Sequence, residues 1–316
     1  MNRHPVLIID GLNLFTRHFV VNPTMSGQGH HIGGTVGFLK GLRLLTEKLV
    51  PSRVVVVWEG GGSPRRRAIY PDYKSGRRPQ KLNRYYTDIP DTFQNRDYQL
   101  ALTIEALNYV PIHQLYVGDC EADDVIAYAC RYLYKESDIV VVSSDKDLYQ
   151  LIDERVTQFS PGQKKFITTE TVKEKFGVYP QNMSAVRCFT GDPSDGLSGV
   201  KGAGFKTMVK RFPSFQLNED VLIEDIIEEA IEKSSTSKVK VYRNILEDKD
   251  IVRRNWKLMH LDINNLSGTQ IQKIQSSIEN YKPEKNKMGL MRLLTRESVQ
   301  DFDVDSFFMS LSARTS

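Results

Sequence analysis

The sequence predicts an α/β protein with a mostly parallel central sheet flanked by helices, followed by a mainly helical region. Strand-like and helix-like segments alternate through the first 160 residues, which is typical of a parallel sheet. Two of the strands, RVVVVW at 53–58 and DIVVVSS at 138–144, are apolar on both faces. Strands of this kind are expected in the centre of a parallel sheet that helices cover on both sides.

Each element follows from a local pattern. PVLIID at 5–10 is a short apolar run that ends in an acid, and IHQLYV at 112–117 is a second short strand. Apolar residues recur at helical spacing in EADDVIAYACRYLYKE, which predicts a helix there. The predicted elements are strands at 5–10, 53–58, 112–117 and 138–144, and helices at 36–49, 97–108 and 121–136.

The predicted organisation has three parts. Residues 1–180 form an α/β core that includes a basic segment at about 65–100. Residues 181–295 form a mainly helical region, in which the Ser/Lys-rich stretch 233–240 is expected to be a flexible loop. Residues 296–316 are expected to be a tail.

The composition excludes several classes of protein. Of the 316 residues, 40% are hydrophobic and 26% charged, and no apolar run reaches the roughly 18–20 residues of a membrane span. The N-terminal apolar run is too short for a signal peptide. Three cysteines, far apart and without a CxxC pair, predict neither a disulfide framework nor a zinc site. We therefore expect a cytoplasmic protein.

A strongly basic segment indicates a polyanionic partner. Residues 65–84 contain only one acid, Asp72, and eight basic residues: Arg65, Arg66, Arg67, Lys74, Arg77, Arg78, Lys81 and Arg84. A solvated loop is the ordinary explanation of such a run. Tyr70, Tyr73, Tyr85 and Tyr86 are interleaved with the charges, however, and this favours nucleic acid, which offers both phosphates and π-faces.

Nine acidic residues are predicted to lie together. The carboxyl ends of parallel strands meet at one edge of a sheet, where ligands bind. The acids that follow strands are Asp10, Glu59, Asp145 and Asp147; the start of the 121–136 helix adds Glu121, Asp123 and Asp124, and the loop GDPSD adds Asp192 and Asp195. Taken singly, such acids serve as turn, cap or helix-dipole residues.

Together, these carboxylates would raise one another's pKa unless cations neutralised them. Hard divalent ions such as Mg²⁺ or Mn²⁺ prefer oxygen ligands. Two such ions would activate a water molecule and stabilise the leaving oxygen of a phosphodiester. The acids therefore predict a metal-dependent nuclease.

A glycine-rich motif, GVKGAGFKTMVK at 199–210, predicts a phosphate clamp. Gly199, Gly202 and Gly204 precede a helix that carries Lys206 and Lys210. Glycines let backbone N–H groups approach a phosphate, and the start of a helix favours an anion. A plain glycine turn is the alternative.

The order of these motifs resembles the 5′-nuclease, or flap endonuclease, superfamily over residues 5–262. Phage members, particularly the T-even-type ribonuclease H, are most similar. The resemblance implies a PIN-like sheet core, a helical arch, a helix–three-turn–helix element and two divalent ions, in a phage enzyme of the host cytoplasm. It also implies hydrolysis near the 5′ ends of RNA–DNA hybrids and of nicked or flapped DNA, leaving 5′-phosphates, as in removal of RNA primers.

The resemblance also assigns roles by position. Asp10, Glu59, Glu121 and Asp123 would hold the first ion, and Asp145, Asp147, Asp192 and Asp195 would surround the second, with Asp124 nearby. The family usually has Asp where this chain has Glu59, whose longer side chain could still reach a metal. Asp123 and Asp145, with Lys74 and Arg77 at the scissile phosphate, are the expected catalytic residues.

The expected DNA contacts are Arg66, Tyr73, Lys74, Arg77, Arg78, Gly199, Gly202, Gly204, Lys206 and Lys210. Some relatives bind K⁺ at the glycine turn through a Ser or Asn side chain. This chain has Gly196 there, so the carbonyls of Leu197 and Val200 are the remaining candidate ligands for K⁺.

The last residues contain Asp301, Val304, Phe307 and Phe308 at the spacing of a sliding-clamp peptide. The alternative is a terminal helix that packs Phe307 and Phe308 into the core.

A single-strand-binding protein is a further expected partner, no membrane partner is expected, and we expect a monomer. A PIN-like endoribonuclease and a non-catalytic DNA-binding homologue are alternative functions; the glycine clamp argues against the first and the complete acidic set against the second.

Overall fold

The computed structural model describes residues 4–77, 93–299 and 302–312. In these residues, six strands form one sheet in the order β3-β2-β1-β4-β5-β6. The strands are β1 Val6–Asp10, β2 Arg53–Trp58, β3 His113–Tyr116, β4 Ile139–Val142, β5 Val156–Ser160 and β6 Lys165–Ile167. All neighbours pair in parallel except β5 and β6, which are antiparallel. The predicted mostly parallel sheet is therefore confirmed.

Helices occupy both faces of the sheet and the second half of the chain. They are α1 Gly11–Val21, α2 Gly33–Leu49, α3 Pro64–Ile69, α4 Phe93–Leu107, α5 Ala122–Tyr128, α6 Thr169–Phe176, α7 Met183–Thr190, α8 Phe205–Arg211, α9 Ile223–Thr236, α10 Lys240–Glu247, α11 Lys249–Met259, α12 Gly268–Glu279, α13 Lys287–Arg296 and α14 Val304–Ser312. A π-helical turn at Ala129–Leu133 extends α5, and a 3₁₀ helix occupies Pro193–Asp195. No helix in the described ranges is long and apolar enough to cross a membrane.

Alternate residues of each central strand face two different cores, which explains why these strands are apolar on both sides. Leu7 and Ile9 of β1 pack with α1, α2 and α4 on one face. Ile8 packs with α5 on the other face. The helices thus cover both faces, and the carboxyl-terminal edge of the sheet is left for side chains that follow the strands.

A third core holds the helical region together. It contains buried residues from α6, α7, α9 and α10, including Val186 and Phe189 of α7. α7 and α8 flank the glycine-rich turn, where the helix–three-turn–helix element was predicted. Tyr149 and Val172 also belong to this core. The core of the helical region therefore includes residues that precede the predicted boundary at residue 180.

The C-terminal segment returns to the sheet. Leu261 and Ile274 pack on one face of it, and Leu290 and Phe307 pack on the other. The expectation of a tail at 296–316 therefore does not match the packing of α14, although residues 313–316 lie outside the described ranges.

The clamp-peptide hypothesis does not fit this packing either. Phe307 is 0% exposed in the core, and Val304 and Phe308 pack against the same cluster. A clamp would need these apolar side chains at the surface, so the alternative prediction of a terminal helix packed into the core is the correct one. Asp301 lies outside the described residues.

Three local expectations also need adjustment. The helix α1 at Gly11–Val21 is not among the predicted elements. The stretch 233–240 is not a single loop, since α9 continues to Thr236. The basic segment begins with α3 and a series of turns up to residue 76, α4 follows from Phe93, and residues 78–92, which include Arg78, lie outside the described ranges.

Candidate active site

The structure brings the strand-end acids to one edge of the sheet, as predicted. Asp10 is the last residue of β1, Glu59 directly follows β2, and Asp145 follows β4. Because β2, β1 and β4 are adjacent and parallel, these side chains meet. Asp10, Glu59, Asp123 and Asp145 line one cavity of about 410 Å³.

These carboxylates repel one another. Burial, together with the charges of Asp145 and Glu59, raises the pKa of Asp10 to about 7. Burial and the charges of Asp145 and Asp10 raise the pKa of Asp123 well above its usual value. Burial and the charge of Glu121 also raise the pKa of Glu59. The site therefore favours bound positive charge.

The basic segment supplies part of that charge. Lys74 Nζ lies 2.8 Å from Glu121 Oε1, and the Tyr73 hydroxyl donates to Glu121 Oε2 at 3.1 Å. Burial alone would raise the pKa of Glu121, but the charges of Lys74 and Arg66 outweigh burial and lower it. Lys74, which is expected to contact the scissile phosphate, thus pairs directly with Glu121, a predicted metal ligand.

A second group of acids adjoins the first. Single carboxylate oxygens of Asp147, Asp192 and Asp195 lie within 4.8 Å of one another. Burial and the charges of Asp145, Asp195 and Asp192 outweigh the attraction of Arg187 and raise the pKa of Asp147 to about 7. Asp145 is thus electrostatically coupled to both groups, which form one extended acidic site.

This donor set fits hard divalent cations. All of its members offer carboxylate oxygens, the ligands that Mg²⁺ and Mn²⁺ prefer. Burial, with a further contribution from neighbouring carboxylate charges, raises the pKa of Asp10, Asp123 and Asp147, and bound divalent ions would favour the charged form of these acids. Both oxygens of Glu59 accept backbone N–H groups, one from Gly62 and one from Ala122.

Asp124 and Arg66 are placed differently from the other predicted site residues. The Arg66 guanidinium donates to Asp124 Oδ2 at 2.5 Å and to Oδ1 at 2.8 Å, and Asn265 donates to Oδ1 as well. Arg66 is 1% exposed. The Asp124 side chain is 0% exposed and is paired with the buried Arg66 through both oxygens, which argues against Asp124 as a metal ligand. The burial of Arg66 argues against it as a DNA contact.

The remaining basic residues of the segment lie nearer the cavity. Arg77 is half exposed, and its Nη2 lies 2.5 Å from Asp195 Oδ1. Lys74 and Arg77 both line the cavity. Tyr73 is 7% exposed and packs with Leu197, so its ring does not face solvent in this conformation.

The glycine-rich turn divides into two kinds of glycine. A side chain at Gly199 would meet the backbone of Thr190 at 2.3 Å, so close packing requires this glycine. A Cβ atom added at Gly202, which has φ +85°, or at Gly204 would have no neighbour within 4 Å, which leaves the backbone of both glycines open to a phosphate. Lys206 and Lys210 are exposed on α8.

The two carbonyls expected to bind K⁺ already accept hydrogen bonds. Leu197 O accepts from Asp192 N at 2.8 Å, and Val200 O accepts from Ala203 N at 3.0 Å. A carbonyl oxygen has a second lone pair, so K⁺ binding stays a prediction.

One charged residue of the site was missed. Arg187 on α7 lies 2.5 Å from both Asp147 Oδ1 and Asp192 Oδ2 through Nη2. A single arginine in the otherwise uncharged helix MSAVRCFT was the available signal, because a buried charge requires a partner.

The sequence is similar to a known protein family. The family model described as 5′-3′ exonuclease, N-terminal resolvase-like domain, matches residues 5–177. The Bacillus subtilis 5′-3′ exonuclease is 32% identical over 72% of this chain and 75% of its own length. DNA polymerase I of Thermus thermophilus is 33% identical over 69% of this chain, which spans only 25% of that polymerase.

Solved structures share the fold. The flap endonuclease of bacteriophage T5, in complex with DNA and metal ions, aligns over 87% of this chain and 98% of its own, with a TM-score of 0.69 and 20% identity. The catalytic core of Rad2 in complex with DNA aligns over 99% of this chain and 93% of its own, with a TM-score of 0.57 and 12% identity.

Proposed function

Because the chain belongs to the 5′-3′ exonuclease family, we propose that it is a structure-selective 5′-nuclease that hydrolyses phosphodiesters near the 5′ ends of nicked, flapped or RNA–DNA hybrid substrates. The observation that carries this proposal is the extended acidic site beside basic residues of one cavity. Acids at the ends of three adjacent strands meet Lys74 and Arg77 there. This combination suits a negatively charged substrate and positively charged ions together.

We assign the first ion to Asp10, Glu59, Glu121 and Asp123, and the second to Asp145, Asp147, Asp192 and Asp195, with Mg²⁺ as the proposed ion. When bound, such ions offset negative charge in the transition state of phosphodiester hydrolysis and lower the pKa of water. Asp145, coupled to both groups, would link the two positions.

The chain's own cations bind and orient the substrate in this proposal. Lys74 and Arg77 pair with Glu121 and Asp195. They would exchange these partners for the scissile phosphate when the substrate binds. Binding energy is then used to hold the phosphodiester against the carboxylate site, which lowers the entropic part of the barrier.

The turn before α8 would grip the duplex. The open backbone at Gly202 and Gly204 and the exposed Lys206 and Lys210 offer phosphate contacts without reading bases. Binding would therefore be independent of sequence, as removal of RNA primers requires. The phage-type character and the preference for hybrids rest on the motif resemblance.

A 5′-labelled assay tests the proposal. RNA–DNA hybrid, nicked and flapped substrates should be cleaved with Mg²⁺ and should stay intact with EDTA. Asp145→Asn should nearly abolish cleavage at unchanged substrate affinity, since a neutral amide is a poor ligand for a hard cation.

Asp138→Asn is the matched control, because Asp138 directly precedes β4 at the opposite edge of the sheet. This variant should cleave normally. Full activity of Asp145→Asn would contradict the assignment, and a wild-type chain that binds but never cleaves would favour the non-catalytic alternative.

A further inference from the structure

A buried hydroxyl group lies between two carboxylates of the proposed metal site. Ser143 Oγ donates to Asp10 Oδ2 at 2.9 Å and accepts the backbone N–H of Asp145 at 3.1 Å. Ser143 directly follows β4, where Val142 pairs with Ile9 of β1. The strand register therefore places Ser143 beside Asp10, and one oxygen atom joins the end of β1 to the turn beyond β4.

A glutamine on the next strand holds the same turn. Gln158 of β5 is 1% exposed, and its Nε2 donates to Ser143 O and to Asp145 O, both at 2.7 Å. Its Oε1 is buried and has no hydrogen-bond partner among the described residues. An unsatisfied buried acceptor is unfavourable, so packing alone would favour an apolar side chain here. The two bonds to the turn are what the amide provides.

A third element completes the arrangement. The backbone N–H of Asn13 on α1 donates to Asp10 Oδ1 at 3.1 Å, while Asn13 Oδ1 accepts the N–H of Ser144 at 3.0 Å. The turn 143–145 is thus tied to α1 and β5, and both oxygens of Asp10 accept a hydrogen bond from the protein. These bonds limit the positions that Asp10 and Asp145 can adopt relative to each other.

We propose that Ser143 and Gln158 are positioning residues that set the placement of Asp10 and Asp145 for binding a divalent cation. This inference rests on the proposed function. Neither residue lines the cavity, whereas Asp10 and Asp145 do, so both residues act through the carboxylates. The single proton of the Ser143 hydroxyl is donated to Asp10, which leaves an oxygen lone pair to accept from Asp145. Contacts of this kind commonly change metal affinity 10- to 100-fold.

Ser143→Ala tests the proposal, with Ser160→Ala as its matched control. Ser160 is also buried, on β5, and its hydroxyl reaches the same turn, but only through a long contact to Ser144 Oγ at 3.4 Å and not through a carboxylate. Mn²⁺ binding without substrate would be measured by calorimetry, together with the Mg²⁺ concentration that gives half-maximal cleavage. Ser143→Ala should weaken Mn²⁺ binding by about 10-fold and raise the Mg²⁺ concentration for half-maximal cleavage by about 10-fold. Much of the maximal rate should be recovered at high Mg²⁺. The control should stay within about 2-fold of wild type on both measures, since it removes no contact to a metal ligand.

The urea concentration at the midpoint of denaturation, measured in EDTA, separates a positioning role from a merely structural role. Ser143→Ala and Ser160→Ala should have similar midpoints although only the first loses metal affinity. Should Ser143→Ala fail to fold, Gln158→Met, which keeps the side-chain length and removes the two donated bonds, should show the same loss of affinity.

Two negative outcomes are distinguishable. A wild-type chain that does not bind Mn²⁺ would overturn the proposed function itself. A wild-type chain that binds Mn²⁺, with Ser143→Ala and Gln158→Met both binding it equally well, would overturn only the positioning role.

Discussion

At the residue scale, Arg66 is the largest fully buried side chain among the described residues. Burial opposes its charge, but the hydrogen bonds and charge of Asp124 outweigh burial and raise the pKa of Arg66. The pair fastens α3 to α5, and Arg66 Nε also donates to Leu258 O at the end of α11. Two residues that look like site residues in the sequence thus hold three helices together.

Neither role could be read from the sequence, because the partners are 58 positions apart. Arg66 belongs to a basic run and Asp124 to an acidic one, and local composition does not reveal which charge is buried. The pairing depends on how α3 crosses the end of α5, which is a tertiary property.

Arg66→Ala should lower the free energy of unfolding by about 3–5 kcal/mol, because it leaves the Asp124 carboxylate buried without its counter-charge. Urea denaturation in EDTA measures this. Arg253→Ala removes an exposed arginine that pairs with Glu224 and should have little effect. Equal losses in the two variants would contradict a structural role of Arg66.

At the element scale, the strands that are apolar on both faces were predicted well because each is recognisable without its neighbours. β5 and β6 were missed, since VTQFS is neither a continuous apolar run nor a regular alternation of apolar and polar residues, and β6 has only three residues. α14 was predicted only as an alternative, because a pair of phenylalanines fits a buried helix and a clamp peptide equally well. The choice between them depends on a core surface elsewhere in the chain.

Phe307→Ala should destabilise the protein by about 3–5 kcal/mol, since it removes a fully buried ring from the core shared by α2 and α14. Thermal or urea unfolding measures the loss. Met309→Ala, on the same helix but 71% exposed, is the control and should stay near wild type. A harmless Phe307→Ala would return the clamp-peptide hypothesis to consideration.

Lys206→Ala in α8 should weaken binding to duplex DNA and reduce the slope of log K against log salt concentration by about 0.9, the value for one phosphate contact. A fluorescence titration over a range of salt concentrations measures the slope. The control Lys135→Ala lies at the opposite edge of the sheet, shortly before β4, and should leave the slope unchanged. An unchanged slope for Lys206→Ala would count against the glycine clamp.

At the scale of the whole molecule, the site was predictable as far as sheet topology determines it. A parallel arrangement brings Asp10, Glu59 and Asp145 to one edge whatever the details of packing. The basic side chains that pair with the acids of the site were less predictable. Arg187 reaches Asp147 from the helical region, and its position depends on how that region packs against the sheet.

Stability should depend on pH through buried histidines. Burial lowers the pKa of His18, His113 and His260 to about 4, so each is neutral in the folded protein. The unfolded chain binds more protons between pH 6.5 and 4, and these histidines therefore destabilise the fold as pH falls through that range. Asp10 and Asp147, whose pKa is raised to about 7, act in the opposite direction.

Comparison of wild type with His113→Phe isolates one contribution, because the acids cancel. The phenyl ring should keep the stacking on Tyr281. The stability of the variant relative to wild type should rise as pH falls from 6.5 to 4, by up to about 1.4 kcal/mol per pH unit. Urea denaturation in EDTA across this range measures the difference, and a constant difference would contradict the buried neutral state of His113.

The return of the C-terminal segment to the sheet has a consequence for biosynthesis. Thr46 of α2 contacts Ser310 of α14, a separation of 264 positions, and the core around β1 and β2 includes Leu311. Contacts so distant in the chain slow folding. When the ribosome has made all of the predicted α/β core, residues 1–180, one face of the sheet still lacks the side chains that α14 contributes to its core. Degradative activity should therefore be delayed until translation has passed residue 311, which would spare nearby nucleic acid from a partly synthesised enzyme.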